Sequence, residues 1–375
     1  MQGKPFSFEN SRIYVCAFAH YCGIFENRYF LQCRINKDEK MKIGKKIVYI
    51  FAAVFCLSFF CRCASTQKTA SHAAKTHRQP ALQKTSERAS AALTNGKLTM
   101  YFIDLDVPKD SEDKSGDSTL VVSPDGKTML IDCGHPDAGK DVVRLLRSLG
   151  IDKIDIVVIS HPHIDHLGAF PLIARTFPIA HVYRSRLEYD TRYTRAFDAA
   201  VKAHDIPSSY LEAGDSFSFG DKVRVDIFGP AHEIVYPKNY PANATQFIND
   251  CSISMMLVYG QSKALFCGDL YRSGETTVLD AYEAQLKCDV AKANHHGNAT
   301  SSRRRWIKAT NPDVIVAMND VLGSMDVVND YVKYGSKFYH TLYNGSIKVE
   351  MDDKHTVTVT PEKESWIEKL AADKK

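Results

Sequence analysis

The segment that most constrains this chain is SHPHIDHLGA, residues 160–169, which gathers His161, His163, Asp165 and His166. It directly follows IDIVVIS, an apolar run rich in β-branched residues that is typical of a fully buried strand. A turn at the end of such a strand can aim His161 and His163 at one point and Asp165 and His166 at a neighbouring one. Imidazoles with a carboxylate suit Zn²⁺ or a similar first-row ion better than Ca²⁺ or Mg²⁺. The cluster therefore predicts a metal site at a strand end, whereas a lone histidine would more often be structural.

From Leu98 onward, segments with the pattern of strands alternate with segments typical of helices. Two sheets wrapped by helices explain this α/β alternation better than one open parallel sheet does. The predicted strands are LTMYFIDL, STLVVS, KTMLID, IDIVVIS, KVRVDIFG, SISMMLVYG, KALFCGD, DVAKAN, DVIVAM, SKFYHTL and SIKVEM. The predicted helices are DVVRLLRSL, which ends at Gly150, and the segments Glu275–Leu286, Ser302–Ala309 and Val327–Tyr334.

Residues 41–63, MKIGKKIVYIFAAVFCLSFFCRC, have the lysine cluster and the apolar run of a secretory signal. The run is short for a membrane-spanning helix, which needs about 20 apolar residues. A bacterial lipoprotein signal resembles this segment, and Cys63, with Cys61 next, is then the lipidated residue. Phe60 and Arg62 fit a small-residue lipobox poorly, so lipidation and uncleaved anchoring both stay open. The segment predicts an exported protein, either periplasmic or at the cell surface.

The remaining boundaries follow from composition. Residues 1–40 precede the signal without a clear pattern, and we expect a start at Met41 or a poorly structured extension. Residues 64–96 are rich in Ser, Thr, Ala, Lys and Gln, which is typical of a flexible linker. Residues 97–375 are the predicted folded domain.

The cysteines and the charge exclude little. Among the ten cysteines, Cys133, Cys251, Cys267 and Cys288 follow the linker without a paired C-x-x-C pattern, so a structural zinc knuckle is not expected. Cys251 and Cys267 flank a predicted hairpin at Gly260-Gln261 and could form a disulfide in an oxidising compartment. A net charge of +4 over 375 residues is too small to require nucleic acid as a partner.

The motifs together carry a family resemblance. SHPHIDHLGA is similar to the signature of the metallo-β-lactamase superfamily, whose fold is a four-layer αββα sandwich with metals at one edge. Within that superfamily, the chain resembles the hydrolase-like domain of the ComEC DNA-uptake proteins and their soluble relatives. The matching segments are FIDLD, GDSTLVVSPDGKTMLIDCG, INDCSISMMLVYG, LFCGDL, HHGNATSS and FYHTLYNGSIKV. About ten extra polar residues between Asp104 and Gly116 depart from the family pattern.

The resemblance assigns roles to residues outside the first cluster. Asp132 would orient the metal loop, Asp269 would bridge two metals, and His295 would be the last histidine ligand. Asp165 would also orient the attacking hydroxide, and His296 would donate a proton or bind a substrate oxygen. The expected catalytic residues are thus Asp165 and His296. The expected metal ligands are His161, His163, Asp165, His166, Asp269 and His295.

One ligand position is left open. Many members have a further histidine where this chain has Asn249-Asp250-Cys251-Ser252. Asp250 or Asn249 could supply an oxygen ligand there, and otherwise the first metal is held weakly or only one metal is bound. His181 and His232 lie in the same interval without supporting context.

The implied activity is hydrolysis with one or two divalent ions, Zn²⁺ first and Mn²⁺ or Fe²⁺ as alternatives. Metal coordination lowers the pKa of water from about 16 to near 7, which yields a hydroxide nucleophile. We expect a phosphodiesterase or nuclease-like enzyme, with single-stranded nucleic acid among its substrates. Arginines 303–305 after Thr300 could hold phosphate and Trp306 could stack on a base, or they form a solvated helix end with a core tryptophan.

Two other functions remain open. A lactamase, lactonase or thioesterase would share the first cluster but typically keeps the further histidine. A surface-anchored binding module with a vestigial metal site is the other alternative. Lys153, Arg184 and Arg186 are interpreted as ordinary surface charges.

Overall fold

The computed structural model describes residues 94–370, apart from positions 237 and 242. The chain divides into two units, Met1–Lys75 and Thr76–Lys375, and the described residues all belong to the second. The predicted extension (1–40), the predicted signal (41–63) and most of the predicted linker (64–96) lie outside the described residues.

The described residues build two β-sheets. The first has eight strands in the order β15-β14-β1-β2-β3-β4-β5-β6, and the second has seven in the order β13-β12-β11-β10-β9-β8-β7. The strands are β1 Leu98–Phe102, β2 Thr119–Val122, β3 Thr128–Ile131, β4 Ile156–Ile159, β5 Val182–Arg184, β6 Ser208–Tyr210, β7 Ser216–Phe219, β8 Val223–Gly229, β9 Ser254–Tyr259, β10 Ser262–Phe266, β11 Val290–Lys292, β12 Val314–Ala317, β13 Lys337–His340, β14 Ile347–Met351 and β15 Val357–Pro361.

Helices connect the strands and cover the outer faces of both sheets. They are α1 Gly139–Ser148, α2 Ile164–Leu167, α3 Phe170–Thr176, α4 Arg192–Ala203, α5 Thr245–Asp250, α6 Arg272–Tyr282, α7 Arg304–Thr310, α8 Met325–Lys333 and α9 Thr341–Asn344. Short 3₁₀ turns add Pro136–Ala138, Glu283–Gln285, Asn294–Gly297 and Ile367–Lys369.

Three apolar layers hold this four-layer arrangement together. Because successive side chains of a strand point to opposite faces, each central strand supplies two layers. In β9, Met255 and Leu257 pack between the two sheets, whereas Met256 packs under the helices of the second sheet. In β4, Val158 faces the other sheet, whereas Val157 packs against α1, α3 and α4. The predicted αββα sandwich is the fold of the described residues.

The structure corrects several predicted elements. Strands β5, β6, β7 and β15 and helices α2, α3, α4, α5 and α9 are absent from the sequence prediction, and α6 begins at Arg272 and ends at Tyr282. All three residues of β6 are exposed, so no apolar alternation marks that strand. The predicted hairpin forms, since Tyr259 of β9 pairs with Ser262 of β10. Cys251 and Cys267 are both buried free thiols, so the disulfide between them does not form.

Within residues 94–370, leaving aside positions 237 and 242, no helix is both long and apolar enough to cross a bilayer.

The two tryptophans of the chain lie in opposite environments, which gives a test of the fold. Trp306 is 1% exposed under the second sheet and Trp366 is 46% exposed. We expect Trp306→Ala to lower the free energy of unfolding by about 3–5 kcal/mol, because it leaves a large cavity. Trp366→Ala is the matched control and should change it by no more than about 1 kcal/mol. Urea denaturation followed by circular dichroism measures both, and equal losses would contradict this packing.

Candidate metal centre

The centre lies where strands of both sheets end. The loop after β4 carries His161 and His163 and leads into α2, which carries Asp165 and His166. In the second sheet, Asp269 follows β10, and the 3₁₀ turn after β11 carries His295 and His296. Because β10 and β11 are parallel neighbours, their carboxyl ends deliver side chains to the same edge. The two sheets therefore bring distant sequence segments to one point.

Four side chains converge there on a small volume. The Nε2 atom of His166 lies 3.3 Å from Asp269 Oδ2 and 3.6 Å from Asp165 Oδ2. The Nε2 atom of His296 lies 3.0 Å from Asp269 Oδ2 and 3.2 Å from Asp165 Oδ2. A tetrahedral ion with bonds of about 2.0–2.1 Å holds its ligand atoms roughly 3.3 Å apart. Each of these four distances is close to the spacing of two ligand atoms on one tetrahedral metal ion.

The surroundings of His166 also fit a bound cation. Its Nε2 atom is buried and, although Asp269 Oδ2 lies 3.3 Å away, it forms no hydrogen bond within the described residues. A buried polar atom left in this way is costly unless a ligand or a metal satisfies it. The chemistry of the donor set, two imidazoles and two carboxylates, is that of a zinc-type site.

A second donor pair lies beside the first set. The Nε2 atom of His161 is 2.9 Å from Nδ1 of His163. The ring centroids of His161 and His166 are 4.1 Å apart. Asn249 is buried and, with His163, lines the cavity in front of the centre. Its Oδ1 atom has no hydrogen-bond partner among the described residues. Asn249 Oδ1 is thus an oxygen donor on the wall of the cavity that His163 also lines.

The structure does not support Asp250 as a ligand. Its Oδ1 accepts from the Gly274 amide at 2.9 Å, and its Oδ2 contacts the Ser273 hydroxyl, so the side chain is engaged by α6. His181 contacts Ser209, and His232 contacts Glu212, so neither reaches the centre.

Two buried carboxylates orient the histidines of the four-residue set. Asp132 accepts from the Ser160 amide at 2.7 Å, and its Oδ2 lies 2.9 Å from Nδ1 of His166. On the other side, Asp117 Oδ1 lies 3.1 Å from Nδ1 of His296. In each pair the carboxylate favours the Nδ1–H tautomer, which leaves Nε2 free to face the centre. Asp132 has the orienting position that the resemblance implies.

Lys292 is an unexpected member of the centre. The side chain is buried at the end of β11, where Nζ donates to the Gly268 carbonyl at 2.8 Å and lies 3.4 Å from Asp269 Oδ1. It also forms an ion pair with Asp117. Burial disfavours the charged ammonium, but Asp117 and Asp269 raise the pKa of Lys292 above its usual value. Lys292 is therefore a fixed positive charge behind the donor atoms.

Sequence reasoning did not assign Asp117 or Lys292 to the site. Asp117, His166, Asp269 and His296 offer ligand atoms within 4.8 Å of one another. A signal existed for each. Asp117 belongs to the GDS segment that follows the polar insertion, and Lys292 is a charge inside the otherwise buried strand sequence DVAKAN.

The two neighbouring histidines take different positions in the structure, whereas the sequence led us to expect His295 as a ligand and His296 as a catalytic residue. His296 is buried and joins the donor set, whereas His295 is partly exposed and its Nε2 is 3.9 Å from Asp269 Oδ2. The Nδ1 of His295 instead contacts the Thr300 hydroxyl. His295 and His296 have φ values of 45° and 54°, a left-handed backbone that residues with a side chain rarely adopt. This backbone turns consecutive side chains in different directions.

The basic run near residue 303 does not serve the centre. Trp306 lies in the core, so the prediction that it stacks on a base is wrong. Arg305 pairs with Asp280 and Glu283, and Arg304 pairs with Asp330. None of these arginines lines the cavity at the centre.

That cavity has a volume of 700 Å³ and is lined by His163, Asp165, Asp269, His295 and His296. The polar insertion forms one wall, through Glu112, Asp113 and Lys114. Glu112 contacts Arg192 and Tyr193 at the start of α4. The polar insertion, which departs from the family pattern, therefore forms one wall of the cavity at the centre.

Protonation of the histidines depends on their position. Burial lowers the pKa of His161 well below its usual value. Burial acts in the same direction on His166 and His296, but Asp269 with its neighbouring carboxylates outweighs it and raises both pKa values. Since a metal binds only the neutral imidazole, metal binding at this set competes with protonation and weakens as the pH falls.

The fold and the donor set define a metal-dependent hydrolase. Residues 112–317 match the model of the metallo-beta-lactamase superfamily. The chain belongs to that superfamily, whose members use divalent metals.

Curated relatives refine this placement. The chain is similar to Competence protein ComA of Neisseria gonorrhoeae, with 23% identity over 61% of this chain and 30% of the relative. It is similar to ComE operon protein 3 of Bacillus subtilis, with 21% identity over 64% of this chain and 31% of the relative. It is also similar to Endoribonuclease YSH1 of Yarrowia lipolytica, with 27% identity over 47% and 22%. The chain thus matches less than a third of the length of each relative. These similarities are consistent with the predicted ComEC-like hydrolase domain.

The assignment of His296, rather than His295, as the metal ligand can be tested directly. We expect His296→Ala to lose metal and His295→Ala to retain it, because only His296 Nε2 lies within 3.2 Å of both carboxylates. Metal content of the two purified variants, measured by mass spectrometry after dialysis against a weak chelator, separates them. Metal loss in His295→Ala with retention in His296→Ala would restore the original assignment.

Proposed function

We propose that the chain is a zinc-dependent phosphodiesterase, with single-stranded nucleic acid among its substrates. The observation that carries the proposal is that two donor groups lie side by side. One contains His161 and His163, with Asn249 on the wall of the cavity that His163 also lines, and the other consists of Asp165, His166, Asp269 and His296. Paired ions suit phosphoryl displacement, since they stabilise both the attacking and the leaving oxygen.

The name of one relative supports a phosphoester. Endoribonuclease YSH1 is by name a nuclease, and ComA is by name a competence protein. The place of the further histidine, which lactamase-type members typically keep, is taken by Asn249 with its unpartnered Oδ1. Both features favour a phosphodiester over a lactam or a thioester.

Bound ions at the two donor groups would supply the nucleophile and polarise the ester. The described residues divide the remaining work. Asp132 and Asp117 hold the imidazoles of His166 and His296, and Lys292 holds Oδ1 of Asp269 so that Oδ2 faces the donor set. Ligand positions fixed in advance need no rearrangement during the reaction.

The role of contacting substrate moves from His296 to His295. Burial lowers the pKa of His295 to about 4, so the ring is neutral at pH 7. In the tautomer in which Nδ1 accepts from Thr300, the Nε2–H of His295 can donate to an oxygen of the ester. His295 lines the cavity and is reachable from solvent.

The activity is tested with three substrates of different chemistry. We expect the zinc-loaded protein to hydrolyse bis-p-nitrophenyl phosphate and to leave nitrocefin and a thioester intact. His161→Ala combined with His163→Ala should reduce the rate by more than about 100-fold, since changing even the partners of ligands typically costs about 10–100-fold. The visible absorbance of the released p-nitrophenolate measures the rate.

Arg224→Ala serves as the control, because Arg224 pairs with Asp226 on β8, away from the cavity. Nitrocefin or thioester turnover without phosphodiester cleavage would move the chain to the lactamase or thioesterase branch. Retention of metal without any turnover would favour a binding module.

We further propose that the protein is exported and lipid-anchored at Cys63. The lysines and the apolar run of residues 41–63 are the support. We expect Cys63→Ser to abolish partitioning of the full chain into the detergent phase of Triton X-114, with Cys61→Ser as the matched control. Partitioning that persists in Cys63→Ser but is lost in Cys61→Ser would make Cys61 the lipidated residue, and partitioning that persists in both would instead point to the uncleaved apolar run as the anchor.

A further inference from the structure

A second cavity adjoins the metal centre. It has a volume of 390 Å³ and lies at the edge of the first sheet, where β5 and β6 end beside α4. Pro162 and Tyr189 line both this cavity and the one at the centre, and His161 lines the second cavity from the metal side. A ligand that spans the two cavities would therefore pass directly over the metal-binding histidines.

The charges around the second cavity balance. Three arginines line it (Arg184, Arg186 and Arg195), and so do three carboxylates (Glu188, Asp190 and Asp198). Arg184 lies 2.5 Å from Asp198, and Arg195 lies 2.5 Å from Asp190. A phosphate-binding site would need an excess of positive charge, because a nearby carboxylate repels a phosphate. The cavity instead offers hydrogen-bond donors and acceptors around a neutral space.

An exposed aromatic ring gives the cavity a planar surface. Tyr210, the last residue of the edge strand β6, is 44% exposed. The guanidinium carbon of Arg186 lies 4.8 Å from the centroid of the Tyr210 ring, and that of Arg184 lies 5.5 Å away. Aromatic rings and guanidinium planes are the groups on which proteins stack unpaired nucleobases. Arginine and carboxylate side chains also pair with base edges.

We propose that the second cavity is a nucleobase subsite, which seats the base of a nucleotide next to the ester that the centre cleaves. This inference rests on the proposed function. The base stacks beside Tyr210 and Arg186, its polar edge meets the balanced donors and acceptors, and its phosphodiester lies across Pro162 toward the centre. Such a subsite makes an unpaired strand a better substrate than a duplex, because paired bases are not available for stacking.

The test compares two esters with the same leaving group. Methyl p-nitrophenyl phosphate has no base, and thymidine 5′-(p-nitrophenyl) phosphate has one. We expect the full-length wild-type protein to have the lower KM for the thymidine ester. We express this preference as the KM for the methyl ester divided by the KM for the thymidine ester. Tyr210→Ala should reduce this ratio by roughly ten-fold, as expected for the loss of one stacked base. Tyr210→Phe keeps the ring and should keep most of the preference.

Arg186→Ala should reduce the ratio in the same direction. Arg305→Ala is the matched control, since Arg305 also pairs with carboxylates, Asp280 and Glu283, but lines neither cavity. Cleavage of both esters with no preference, or a preference that Tyr210→Ala and Arg186→Ala leave unchanged, would overturn the subsite while the phosphodiesterase stands. Cleavage of neither ester by the zinc-loaded wild type would overturn the proposed function, and this inference with it.

Discussion

The structure of the centre depends on one buried positive charge. Lys292 lies among carboxylates that the fold removes from water, in an ion pair with Asp117 and 3.4 Å from Oδ1 of Asp269. Buried carboxylates at such distances repel one another and lose hydration, so a cation fixed by the backbone offsets a cost that side-chain packing cannot. The Gly268 carbonyl, at 2.8 Å, holds that cation at the end of β11. A bound metal ion would add further positive charge next to these carboxylates, beside the charge that Lys292 already supplies.

The same requirement explains why irregular backbone collects at the centre. His295 and His296 share a left-handed backbone, and Asp132, at the end of β3, has a φ of 59°. At Gly116 an added Cβ would lie 1.8 Å from the Asp165 carbonyl oxygen, so only glycine allows the Asp117 segment to approach the metal loop. Strained positions of this kind persist only when the surrounding structure determines them. The inter-sheet core fixes the strands, and these strands place the irregular residues that follow them.

Particular residues show how far the sequence could lead. The apolar runs of β4, β9 and β10 carry their own periodicity, so the sandwich and the cluster from His161 to His166 could be predicted from local pattern. The orientation of His296 could not, because it depends on two left-handed residues and on Asp117, 179 positions away in the chain. The role of Lys292 could not be predicted for a similar reason, since its partners come from other segments. The exposed edge strand β6 lacks an apolar face, so Tyr210 gave no signal of its own.

The two cavities suggest how substrate choice is separated from hydrolysis. The donor atoms lie on strand ends that the sandwich fixes, whereas the walls come from the polar insertion and from α4. Helix α4 serves both cavities, because Arg192 and Tyr193 meet Glu112 of the insertion and Asp198 pairs with Arg184 in the second cavity. Helix α4 therefore connects the insertion, at the wall of the centre, with the proposed base subsite. The insertion and α4, which supply walls of the two cavities, thus carry none of the residues of the donor set.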